Sequence, residues 1–74
     1  MDTRHTTRLK DLTTPIPFSG PALRQARLRA GLTQEQLAHV VESTTSSVNR
    51  WELEHSVPHR LMRRALAGFI AQHA

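Results

Sequence analysis

Apolar residues recur at helical spacing in four stretches of this chain, and polar residues lie between them. In LTQEQLAHVV, Leu37, Val40 and Val41 fall at i, i+3 and i+4, one face of a helix. Thr33 is a good N-cap for that helix, and Gln36 three residues later completes a capping box, so a helix is predicted from Gln34 to Val41. Glu42 and Ser43 break the pattern. Thr44 then caps a further helix, Thr45 to Leu53, in which Val48 and Trp51 form an i, i+3 apolar pair. Upstream, Ser19 caps a helix with Gly20 and Pro21 in its opening turn. It carries Leu23, Ala26, Arg27 and Ala30 on one face and stops at Gly31, the residue type expected just past a helix end. Phe18 is placed to staple its start. Downstream, Pro58 suits the first position of a last helix reaching about Gln72, with Ser56 or Val57 before it.

That last helix carries Leu61, Met62, Ala65, Leu66, Phe69 and Ile70, an apolar stripe wider than capping a small core requires. The surplus points to a second buried surface, a dimer contact through Met62, Leu66, Phe69 and Ile70, with Gly68 small enough to permit close helix approach. Residues 1–17 differ in kind. They are polar, Thr-rich and without helical periodicity, and Pro15 and Pro17 oppose a helix near their end. Arg4, Arg8 and Lys10 make this a flexible basic arm, read either as a disordered tail or as a segment that touches DNA. A short strand over Thr13 to Phe18 that pairs with a partner subunit, and so a rival dimer contact, is the other use open to it. Residues 18–74 are expected to form the one folded domain, with 58–72 as its dimerisation helix.

Composition narrows the function. Seventy-four residues at 38% hydrophobic content support a modest helical core and no deep catalytic cleft. Cysteine is absent, which excludes disulfides and thiolate metal sites and fits a reducing compartment. His55 and His59 are four apart, but Pro58 lies between them and no acidic pair completes a zinc site. No Gly-rich phosphate loop or nucleophile motif is present. The chain is therefore expected to be no enzyme and to need no cofactor or metal. No apolar run approaches the roughly 18 residues of a membrane span, and Arg4 and Arg8 lack the hydrophobic core of a secretory signal. Ten Lys/Arg against six Asp/Glu give a charge of +4, which favours an anionic partner, nucleic acid before a membrane surface.

Opposite the Val48–Trp51 pair lie Thr45, Ser46, Asn49 and Arg50. Side chains this rich in Ser, Thr and Asn make a poor helix, so helix stability alone does not account for them. They are small hydrogen-bonding groups with one cation, which suits the base edges of a major groove. Arg50 can reach guanine in bidentate fashion, worth about 1–3 kcal/mol of discrimination. Asn49 can read adenine or hold a phosphate. Ser47 lies near enough to touch the DNA backbone, and Gln34 sits at a helix N-terminus, where a phosphate is favoured.

Leu32-Thr33-Gln34-Glu35, Leu37-Ala38, Val48 and Arg50-Trp51-Glu52 together resemble the helix-turn-helix of lambda-type phage repressors, Cro proteins and related antitoxin repressors. The likeness runs more weakly from about Phe18 to Pro58. It implies an all-α, lambda repressor-like domain of four to five short helices behind the N-terminal arm. It implies base contacts from Thr45, Ser46 and Arg50, with Asn49 beside them, a DNA contact from Gln34, and a buried Trp51. It also implies that Arg27, otherwise a charge snorkelling from an apolar face, pairs with Glu52. The chain departs from the family twice. Glu42 stands at a turn position where the family usually has Gly, and Leu53, Glu54 and His55 replace its usual phosphate-binding residues, leaving His59 and Arg60 to take that part. The function implied is a cytoplasmic, nucleoid-associated repressor that binds an inverted-repeat operator on double-stranded DNA as a homodimer. It would regulate its own promoter in a Cro-like, antitoxin or anti-CRISPR-associated setting. The alternative is a protein-interaction module, an antitoxin that neutralises a toxin partner with the same fold.

Overall fold

The computed structural model describes residues 17–74, which fold into four helices with no strand among them. The helices are α1 (Gly20–Arg29), α2 (Gln34–Val40), α3 (Thr45–Glu52) and α4 (Arg60–Gln72). The expected flexible arm, 1–17, and the possible strand at Thr13 to Phe18 fall outside the described residues except for Pro17 and Phe18, which form no regular element.

Each start is set by one side chain that accepts an otherwise orphaned backbone N–H. Ser19 Oγ accepts from Ala22 N at 3.2 Å and Thr44 Oγ1 from Ser47 N at 3.1 Å. At α2 the exchange is reciprocal: Gln36 N donates to Thr33 Oγ1 at 3.1 Å, and Thr33 N donates to Gln36 Oε1 at 2.9 Å. The last helix begins later than Pro58, because the His59 ring caps it: Nδ1 accepts from Met62 N at 3.3 Å. Pro58 is buried just ahead, and its carbonyl accepts from Arg63 Nη1 at 2.9 Å.

The first three helices end alike. After each, one residue turns left-handed and the next N–H closes back onto the last turn. Gly31 (φ 73°) does this for α1, where Leu32 N reaches Arg27 O at 3.0 Å. Glu42 (φ 54°) does it for α2, with Ser43 N on Ala38 O at 2.8 Å, and Glu54 (φ 60°) for α3, with His55 N on Arg50 O at 2.9 Å. The turn that replaces the family's Gly with Glu42 thus keeps the left-handed geometry, at a cost of about 1 kcal/mol or more for a residue with a Cβ.

Leu23, Leu37, Ala38, Val48, Trp51 and Leu66 form the core, with Phe18, Leu32, Val41, Met62, Phe69 and Ile70 packed around it. Contacts join α2 to α3, and α1 to both α3 and α4. Two expectations are corrected here. Val40 does not share the buried face of Leu37 and Val41: it is 61% exposed, because Ala38 takes the second inward position against α3. Leu66, expected at a dimer contact, is 0% exposed and fills the centre of the protomer's own core. It lies mid-stripe, where the helix turns most directly inward.

Candidate nucleic-acid interface

Val48 and Trp51 are buried behind α3, which leaves Thr45, Ser46, Asn49 and Arg50 exposed on the opposite side. Thr45, Ser46 and Arg50 make no side-chain hydrogen bond within the described residues, so their polar groups face solvent. Ser47 is half-buried, and its hydroxyl accepts from Thr44 Oγ1 at 2.9 Å, which leaves its own proton to donate.

Three contacts hold α3 in place. The first is an ion pair at its C-terminal end. Arg27 Nε donates to Glu52 Oε2 at 2.6 Å and Nη2 to Glu52 Oε1 at 3.0 Å, a bidentate fork between α1 and α3. The two side chains are 10% and 3% exposed. The remaining Arg27 Nη1 donates to Leu32 O at 3.0 Å, at the turn that ends α1. Hydrogen bonding to Glu52 holds the Arg27 guanidinium above its ordinary value; burial opposes this and the Glu52 charge adds to it. A raised arginine contributes its share of stability below the ordinary arginine range and loses it only above, so this side of the pair stays charged wherever the chain folds.

The second contact is one of backbone on backbone. A Cβ on Gly20 would stand 2.5 Å from the carbonyl oxygens of both Trp51 and Glu52, and 2.7 Å from Glu54 Cγ. Only glycine lets the first turn of α1 sit on the last turn of α3. Sequence reading passed this over. The available signal was a glycine in the opening turn beside a Pro that already suits it.

The third contact is Gln34. Its Nε2 donates to Glu52 Oε1 at 3.1 Å and to Asn49 Oδ1 at 3.2 Å. Both amide protons are used within the protein, so a phosphate at this end of α2 falls to the backbone N–H groups and not to the Gln34 amide. Its place is between the ion pair and the exposed face of α3. His59 is exposed and uses Nδ1 for the α4 cap, while Arg60 is half-buried and already engaged in an interaction. Of the expected dimer residues other than Leu66, Met62 and Phe69 line a groove between α2 and α4, and Ile70 faces the entry to α1 with Phe18.

Residues 23–62, more than half of the chain, match the model of the family described as Helix-turn-helix, and the chain belongs to this lambda repressor-like (XRE) family. DNA binding and transcription regulation follow from that membership. No curated protein and no solved structure matches the chain. Among the described residues no helix is long and apolar enough to cross a membrane.

Proposed function

We propose that this protein is a sequence-specific transcriptional repressor, acting in the cytoplasm at the nucleoid, that binds an inverted-repeat operator as a homodimer and regulates its own promoter. The observation that carries the reading is the division of α3, which buries Val48, Trp51 and Glu52 and exposes Thr45, Ser46, Asn49 and Arg50. In this role the exposed four meet base edges in the major groove, and Ser47, His59 and Arg60 meet phosphates.

Dimerisation draws support from the groove between α2 and α4, about 560 Å³, lined by Val40, Val41, Leu61, Met62, Ala65 and Phe69 among others. Leu61 stands 76% exposed at its edge. Gly68 lines it too, and a Cβ there would meet nothing within 4 Å in the protomer. A helical glycine with open space beside it gives up about 1 kcal/mol relative to alanine; a second copy closing on that spot supplies the reason. The same groove supports the second reading, in which it holds a toxin partner. Selection of bound duplexes from a random pool tests the proposal. Two related half-sites about 34 Å apart are expected, and Arg50→Ala should relax the preference at one position. Enrichment of no sequence would refute it.

A further inference from the structure

Hydrogen-bond polarity passes without ambiguity from the core to the exposed face of α3. Arg27 can only donate, and it holds Glu52 by both oxygens. The Glu52 carboxylate can only accept, so the Gln34 atom 3.1 Å from its Oε1 must be the amide nitrogen. That nitrogen can only donate, so the Asn49 atom 3.2 Å away must be Oδ1. The Asn49 NH2 is therefore the end left to face outward.

We infer that Gln34 is a positioning residue that turns Asn49 into a hydrogen-bond donor toward the duplex, so that Asn49 selects a base edge presenting acceptors. This rests on the proposal that α3 reads base edges. Guanine offers two acceptors in the major groove, N7 and O6, to the Asn49 Nδ2 amino group, whereas thymine O4 and adenine N7 offer one each. Cytosine presents an amino donor there and is rejected. Adenine needs an amide that offers oxygen and nitrogen side by side, and here the oxygen is turned toward Gln34. The adenine contact open to Asn49 on sequence grounds is thus disfavoured by the partner that α2 supplies.

Selection from a random duplex pool tests this with wild type, Gln34→Met, Asn49→Ala and the Gln34→Met/Asn49→Ala double variant, each checked for folding by thermal melting. Wild type should prefer a G·C pair, on either strand, at one position per half-site, and Asn49→Ala should erase that preference. Gln34→Met, close in length and without hydrogen-bonding groups, should weaken it by about threefold to tenfold, admit adenine there, and leave other positions unchanged. The double variant should match Asn49→Ala. A wild-type preference for an A·T pair at the position that Asn49→Ala erases would overturn the inference. So would a Gln34→Met profile that is unchanged, or flattened equally everywhere as a merely structural role requires. A wild type that enriches no sequence would instead overturn base reading itself, and this inference with it.

Discussion

Replacing Arg27 by Met should cost far more than replacing both members of its ion pair. Arg27→Met keeps the aliphatic bulk but removes two charged hydrogen bonds to Glu52, at 2.6 and 3.0 Å. Glu52 then keeps only the Gln34 amide, with its side chain 3% exposed. Removing one partner of a buried pair costs about 3–5 kcal/mol, because the other charge is left with little compensation. A domain of about 60 residues holds roughly 3–9 kcal/mol in all, so the single variant should lose at least about a third of its stability and unfold outright if the total lies at the low end. Arg27→Met/Glu52→Met leaves no buried charge and should lie within about 1 kcal/mol of wild type, since desolvation offsets most of what an intact pair gains. Urea unfolding followed by fluorescence reads this directly, because the chain has a single Trp and Trp51 is buried in the core. The reasoning fails if Arg27→Met costs less than about 1 kcal/mol, or if the double variant is as damaged as the single one.

Gly20→Ala should lower the melting temperature by roughly 5–15 °C, since the new Cβ meets two backbone carbonyl oxygens that cannot move alone, an overpacking cost of about 1–3 kcal/mol less a helix-propensity gain of under 1. Glu42→Gly should raise it by about 4–8 °C by relieving the left-handed residue at the end of α2; a fall would mean that the Glu42 side chain does something the turn geometry omits. Gly68→Ala separates fold from assembly: helix propensity should stabilise the protomer by about 1 kcal/mol, while sedimentation should show a weakened dimer. An unchanged dimer would remove Gly68 from the interface.

What could be read from the sequence was largely local. Ser19, Thr33 with Gln36, and Thr44 act within three residues of themselves, so their capping chemistry is visible in the chain order. The exposed side of α3 follows from the spacing of Val48 and Trp51. The Arg27–Glu52 pair spans 25 residues, and only the resemblance to a family pointed to it. The seat of Gly20 on the carbonyls of α3 and the link from Gln34 to Glu52 depend on how separate helices meet, which no local pattern encodes. Pattern misled in two places. Spacing marked Val40 as inward, although Ala38 takes that direction, and stripe width set Leu66 on an outer surface when the centre of the stripe is the part that turns to the core.

The open side of α3 bears on how such a protein acquires new targets. Among the described residues Thr45, Ser46 and Arg50 make no hydrogen bond or ion pair that secures the helix, so exchanging them should shift stability by no more than about 0.5 kcal/mol each. Under the proposed function, a lineage can therefore wander from one operator to another while its scaffold stays put. Asn49 is the exception, because its tether to Gln34 obliges a second helix to change in step.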